Sequence, residues 1–118
     1  DNFKTVNDTY GHLCGDKVLQ AMGTLLNEKN RTEDITARYG GEEFVILLWK
    51  CNAKAAKNKA EELRVTLSEL KIDNIKVTAS FGVAQINSKH ESFENILKDA
   101  DEALYRAKDS GRNRTSVY

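Results

Sequence analysis

The residues best suited to chemistry fall in three short stretches. In Arg38-Tyr39-Gly40-Gly41-Glu42-Glu43-Phe44, two carboxylates follow a glycine pair and precede an apolar run. Glycine lacks a Cβ, so a phosphate can approach backbone N–H groups there, while a carboxylate at a strand mouth can hold a divalent cation. Successive strand residues face opposite ways, so only one of Glu42 and Glu43 is expected to look into such a site. Taken alone, the string reads more readily as a Gly-Gly hairpin carrying solvated acids. The second stretch, Phe3-Lys4, Asn7-Asp8, Gly11-His12 and Gly15-Asp16, is polar and punctuated by glycine ahead of a helix N-terminus, where orphan N–H groups favour anions. An Asn amide both donates to and accepts from a base edge, and an Asp carboxylate can accept two N–H donors together, as guanine N1 and N2 would supply. The plainer reading makes Asn7 and Asp16 turn and cap residues. Third, Lys108 and Arg112 lie one helical turn apart, a point charge and a bidentate fork suited to a polyphosphate. Basic residues at a helix C-terminus also gain from the macrodipole without any function.

The elements that must position these residues follow from periodicity. From Asp16, a candidate N-cap, the apolar residues Val18, Leu19, Met22, Leu25 and Leu26 recur at helical spacing, with Gly11 and Gly15 bracketing a polar turn before them. A strand over Ile35 to Tyr39 leads into Gly40-Gly41 as a two-residue hairpin turn, and Phe44 to Trp49 continues as an apolar strand. That run lacks alternation, so both of its faces are expected to be covered. Ala53 to Leu70 reads as an amphipathic helix. Val77, Ala79, Phe81 and Val83 alternate with polar or small residues as a strand, and a loop follows around Asn87 to His90. Phe93 to Ala107 traces a last helix, with Gly111 as its stop and Thr115 to Tyr118 as an edge strand. The order predicts an α/β (α+β) fold with an antiparallel hairpin at its centre.

Composition bounds the function. The chain has 118 residues, with 18 Lys+Arg against 18 Asp+Glu, so no global field recruits nucleic acid or an anionic membrane, and any phosphate binding must be local. The length predicts one globular domain with one modest core. No apolar run reaches the length of a membrane span and no signal peptide is evident, which predicts a cytoplasmic chain. Cys14 and Cys51, outside any CxxC or Cys/His cluster, are expected to be reduced thiols. The opening Asp1-Asn2-Phe3-Lys4 runs straight into motif-like sequence without an initiator Met, so the chain is expected to be cut at its start.

Three blocks together resemble one family. RYGGEEF, Arg38 to Phe44, resembles the signature of GGDEF domains, the diguanylate cyclases, in its GGEEF form. DNFKTVNDTYGHLCGD, Asp1 to Asp16, resembles the family's D-x-D-x-F-K-x-x-N-D-x-x-G-H-x-x-G-D block from its second Asp onward, and ADEALYRAKDSGRN, Ala100 to Asn113, resembles its A-D-x-A-L-Y-x-A-K-x-x-G-R-N block. The resemblance implies a nucleotidyl-cyclase or palm-like central sheet flanked by helices, carrying the GGEEF hairpin. It implies condensation of two GTP into cyclic di-GMP with release of two pyrophosphates, each GTP held by one domain of a facing homodimer. Under it, Asn7 and Asp16 bind guanine, Gly40 and Gly41 admit the phosphates, and Phe3 and Lys4 line the phosphate loop while His12 buttresses the turn. Glu42 binds Mg²⁺ or Mn²⁺ and assists deprotonation of the 3′-hydroxyl, Glu43 supports the metal less directly, and Lys108 with Arg112 holds the β- and γ-phosphates.

Arg31-Thr32-Glu33-Asp34 matches the family's RxxD inhibitory site, implying product feedback through Arg31 and Asp34. One departure stands out: the family's first metal-binding aspartate, at the end of its first core strand, lies two positions before Asp1. The family's first core strand and preceding helix are therefore expected to be missing from residues 1–118, with turnover by these residues alone impaired. An upstream sensory or regulatory domain is expected in the parent protein. The competing readings are a catalytically inactive module that binds GTP or cyclic di-GMP, and a purely structural dimerisation domain.

Overall fold

A computed structural model describes residues 1–72 and 74–118. The helices are α1 (Phe3–Tyr10), α2 (His12–Lys29), α3 (Ala53–Glu69) and α4 (Phe93–Asp109). The strands are β1 (Ile35–Gly40), β2 (Glu43–Leu47), β3 (Lys71–Ile72), β4 (Ile75–Lys76), β5 (Phe81–Val83) and β6 (Thr115–Val117). This is a mixed α+β fold, as expected. Where the length predicts one core, the residues gather into two compact units that interleave along the chain, Asn2–Trp49 with Glu69–Val77, and Asp1 with Lys50–Ser68 and Thr78–Tyr118.

In the first unit, α1 occupies the polar stretch ahead of the expected helix, where periodicity predicts no helix, and Gly11 explains how. Its N–H closes α1 on the Asn7 carbonyl at 2.8 Å, while its own carbonyl receives the Gly15 N–H at 3.1 Å and so opens α2. One residue ends one helix and begins the next, at a φ of 89° that suits glycine. Helix α2 thus starts four residues before Asp16, which is not its N-cap, and Gly15 lies inside the helix rather than in a turn. Val18, Leu19 and Leu26 form its buried stripe, joined in the core by Val6, Ile72, Ile75 and Val77.

Strands β1 and β2 pair antiparallel from Ile35↔Leu47 to Gly40↔Glu43, with a register shift between Arg38 and Gly40 that leaves Tyr39 as a bulge. The turn is therefore Gly41-Glu42 rather than Gly40-Gly41, with Gly41 at a φ of 41°. This moves Glu42 off the ladder and onto the tip. Among the described residues β2 pairs only with β1, so its expected double coverage is not found: Phe44 to Ile46 are half-buried and Glu43 and Leu47 exposed. Strands β3 and β4 form a second short hairpin.

In the second unit, Ala60, Leu63 and Leu67 face inward from α3. β5 and β6 pair in parallel, Phe81↔Thr115 to Val83↔Val117. Gly82 lets α4 lie directly against β5: a Cβ there would come within 2.1 Å of the Ala100 carbonyl. Ala103 and Ala107, fully buried, are the small residues on the α4 side of this approach. Ser92 caps α4 by accepting the Asn95 N–H at 3.3 Å. Its other end is a Schellman motif, with Arg112 N–H on the Ala107 carbonyl at 3.0 Å and Gly111 N–H on the Lys108 carbonyl at 3.3 Å. The strand expected around Val77 to Val83 buries Val77, Ala79 and Val83 but leaves Phe81 half-buried, and its ladder is confined to Phe81–Val83. Paired strands among the described residues accordingly form three two-stranded sheets. Cys14 and Cys51 are free thiols. No helix among the described residues is long and apolar enough to cross a membrane.

Candidate nucleotide site

The first unit contains a cleft of about 370 Å³ lined by Phe3, Asp16, Leu19, Arg38, Gly40, Gly41, Glu42 and Glu43. Phe3 opens α1, Asp16 and Leu19 lie one turn apart on α2, and the remainder come from the hairpin. Two motifs more than twenty residues apart in sequence therefore meet at one surface. Gly40 and Gly41 have open space where a Cβ would stand, so the backbone of the hairpin is accessible to a ligand. The Arg38 Nε donates to the Gly41 carbonyl at 2.8 Å, which ties the tip back onto β1 and leaves a guanidinium on the cleft wall.

Glu42 and Glu43 both line the cleft, although strand alternation predicts that only one should. The difference follows from the turn: Glu42 occupies the tip, where strand alternation no longer applies. Among the described residues no group of three or more His, Cys, Asp and Glu side chains is arranged to hold a metal ion. Two carboxylates beside bare glycine backbone nevertheless fit Mg²⁺, which keeps several waters and is commonly held by one or two carboxylates together with substrate phosphates.

Asn7 lies on α1, away from the cleft lining, and its amide is packed against α2. Its Oδ1 is buried with no hydrogen-bond partner, an arrangement that costs about 1–3 kcal/mol in a folded protein. Gly15 makes the packing possible, since a Cβ there would fall 1.8 Å from that oxygen and 3.1 Å from Phe3 Cζ. Lys4 on α1 and His12 at the start of α2 are exposed.

Arg31 and Asp34 are engaged with each other. Arg31 Nε and Nη2 reach Asp34 Oδ2 and Oδ1 at 3.2 and 3.0 Å, and the Arg31 N–H also donates to Oδ2 at 3.0 Å. Nη2 additionally donates to the Trp49 carbonyl at 2.8 Å, and the Asp34 side chain is fully buried. In the second unit, Lys108 is half-buried near the end of α4, and Arg112 follows the Schellman turn at a φ of 64°.

Sequence reasoning placed Gly15, Arg38 and Asp1 within the matched blocks and Leu19 in the apolar stripe of α2, but assigned none of them a part in the site. A glycine inside a helical pattern costs up to about 1 kcal/mol relative to alanine, and that cost was the available signal for Gly15. Asp1 opens the matched block, but its hydrogen-bond partners Thr78, Ser80 and Asn113 are distant in sequence and no spacing points to them.

The chain matches the family model "Diguanylate cyclase, GGDEF domain" over residues 1–114. It is 43% identical over 121 residues to diguanylate cyclase A of Treponema denticola, covering 99% of this chain and 33% of that protein. It is 44% identical over 115 residues to diguanylate cyclase DgcM of Escherichia coli K12, covering 97% of this chain and 28% of that protein. The chain thus spans a third or less of the length of these relatives. The active GGEEF domain of a diguanylate cyclase from Vibrio cholerae superposes with a TM-score of 0.94 at 34% identity, covering 100% of this chain and 77% of that one. The coiled coil and GGDEF domain of DgcB from Caulobacter crescentus, solved in complex with c-di-GMP, gives 0.93 at 32% identity, covering 100% of this chain and 65% of that one.

Proposed function

Because the chain belongs to the GGDEF family of diguanylate cyclase domains, we propose that its parent protein condenses two GTP into cyclic di-GMP and releases two pyrophosphates. The observation that carries the reading is the cleft in which Phe3 and Asp16 face the Gly40-Gly41-Glu42-Glu43 tip. Asp16 accepts guanine N1–H and N2–H, a pairing adenine cannot supply, and Asn7 reads a second base edge from α1. The hairpin tip offers backbone N–H groups to the phosphates, with Phe3 and Lys4 along the phosphate loop and His12 bracing the turn beside Gly11. Glu42, at the tip, would hold the metal ion and assist deprotonation of the 3′-hydroxyl, and Glu43 would support the metal less directly. Lys108 and Arg112 hold the β- and γ-phosphates and stabilise the departing pyrophosphate. When bound, a divalent cation, Mg²⁺ or Mn²⁺, neutralises phosphate oxygens and lowers the pKa of the attacking hydroxyl. Each 3′-hydroxyl attacks the α-phosphate held by a second copy, so catalysis requires two nucleotide-loaded domains to face one another. The reaction is placed in the cytoplasm, under an upstream sensory or regulatory domain in the parent protein.

Product feedback through Arg31 and Asp34 forms part of the same reading. Their mutual fork is a preassembled donor and acceptor pair that a guanine base would engage by replacing one partner with its own edge. The test uses the full-length protein with GTP and Mg²⁺, following both products by chromatography. Stoichiometric cyclic di-GMP and pyrophosphate are expected, with loss of at least about 100-fold in rate for Glu42→Gln while the melting temperature is unchanged. Nucleotide binding without either product would replace the cyclase reading with a binding module.

A further inference from the structure

The carboxylate of Asp1 is the hub of a hydrogen-bond cluster that ends on the backbone beside Arg112. Its Oδ1 accepts the Ser80 hydroxyl at 2.7 Å, and its Oδ2 accepts both the Thr78 hydroxyl at 2.9 Å and the Asn113 N–H at 3.1 Å. From the other side, Arg64 Nη1 donates to the Asn113 Oδ1 at 3.0 Å. The corner held between them is costly: Arg112 and Asn113 have consecutive left-handed φ values of 64° and 48°, and neither is glycine. A left-handed non-glycine residue persists where its surroundings over-determine it, and such strain gathers at functional positions. Here the Schellman turn fixes the start of the corner, and the Asp1 carboxylate fixes its end together with the Ser80 hydroxyl it holds, which shares the Asn113 N–H at 3.2 Å, while Arg114 Nε donates to the Arg112 carbonyl at 3.0 Å. A charged acceptor is the stronger choice for this task, since a hydrogen bond to an ionised group contributes roughly twice as much as one between neutral groups.

We propose that Asp1 is a positioning residue for the polyphosphate site: by clamping the Arg112–Asn113 corner, it sets the direction in which the Arg112 guanidinium leaves the end of α4 relative to Lys108. A bidentate fork must be aimed, whereas a lysine ammonium on a flexible stem tolerates movement, so loss of the clamp acts through Arg112. This rests on the reading of Lys108 and Arg112 as the phosphate-holding pair. The chemistry recognised is that of a pyrophosphate group, free or as the tail of a nucleoside triphosphate.

The test is a double-mutant cycle in the full-length protein, reading pyrophosphate and GTP binding by calorimetry for wild type, Asp1→Ala, Arg112→Ala and the double variant. Asp1→Ala is expected to weaken binding by about five- to tenfold alone and by less than about twofold in the Arg112→Ala background. Asp1→Asn, which keeps the shape and one acceptor oxygen, is expected to fall between wild type and Asp1→Ala, and it carries the cycle if the alanine variant does not fold. Equal losses in both backgrounds, or no loss in either, would overturn the proposal. The two readings fail differently: coupling without formation of cyclic di-GMP removes the cyclase reading and leaves the positioning role. Additive losses with normal product do the reverse, and a wild-type protein that binds no pyrophosphate removes the positioning role outright.

Discussion

The contact between Gly15 and Asn7 supplies a perturbation that separates stability from recognition. In Gly15→Ala the new methyl would lie 1.8 Å from Asn7 Oδ1 and 3.0 Å from its Cγ, so the amide must swing away by more than about 1 Å to reach ordinary contact. The atom displaced is the end of a side chain, and its oxygen has no partner to lose where it stands. An off-rotamer Asn costs about 0.5–1.5 kcal/mol, whereas replacing a helical glycine by alanine recovers up to about 1 kcal/mol. The two nearly cancel, and the melting temperature should stay within about 4 °C of wild type. Recognition has no such compensation. If Asn7 reads a base edge, moving its amide forfeits one or two hydrogen bonds, about 1–3 kcal/mol, or roughly 10- to 100-fold in GTP affinity. Calorimetric titration with GTP and with ATP checks this, since discrimination between them should narrow as GTP binding weakens. Unchanged affinity and selectivity in a folded Gly15→Ala protein would refute a role for Asn7 in base recognition.

Gly82 offers the opposite case, because its would-be Cβ meets the Ala100 carbonyl at 2.1 Å and the Leu104 nitrogen at 2.4 Å, both backbone. Gly82→Ala should therefore push α4 off β5 and cost about 3 kcal/mol or more, lowering the melting temperature by about 10 °C in a thermal denaturation followed by circular dichroism. Glu61 carries a carboxyl held below its ordinary value of 4.5, first by its hydrogen bond from Arg64, then by the charge of Arg64, by Thr115 and by Lys57, against an opposing effect of burial. A depressed folded value contributes stability that is complete above the unfolded value and lost as pH falls through the folded one. Glu61→Gln should thus destabilise at pH 7 by up to about 1 kcal/mol, the pair being partly exposed, with the difference from wild type shrinking as pH falls below the ordinary carboxyl value and vanishing only below the depressed folded one in urea titrations. Arg31→Ala should relieve inhibition by added cyclic di-GMP by at least about tenfold in half-inhibitory concentration, measured as initial rate of pyrophosphate release.

What could be read along the chain was whatever depends on local spacing. The stripes of α2 and α4, the pairing of the two strands around GGEEF and the Gly111 stop follow from periodicity and turn chemistry. The misreadings cluster where one residue serves two elements or where the partner is remote. Gly11 ends α1 and begins α2 together, so a glycine-rich polar stretch that reads as turn is two helices sharing a junction. The bulge at Tyr39 moves the hairpin turn one residue along, and that single step puts Glu42 at the tip and lets both glutamates line the cleft. Periodicity cannot reveal a bulge, because the bulge is the point at which the period fails.

The acidic residues divide along the same line. Glu42 and Asp16 stand out by motif spacing and occur together in the cleft of the first unit. Asp1 lies in the second unit and meets Thr78, Ser80 and Asn113 only through folding, accepting from two hydroxyls and one backbone N–H. A ligand-facing acid must be left accessible, so its surroundings are glycine and open cleft. An acid that shapes a corner must be saturated, so its partners come from wherever the fold can deliver donors. Motif spacing finds the first kind because the ligand fixes the spacing; the second kind is fixed by the protein alone, and its effect on turnover should pass entirely through the residue it aims.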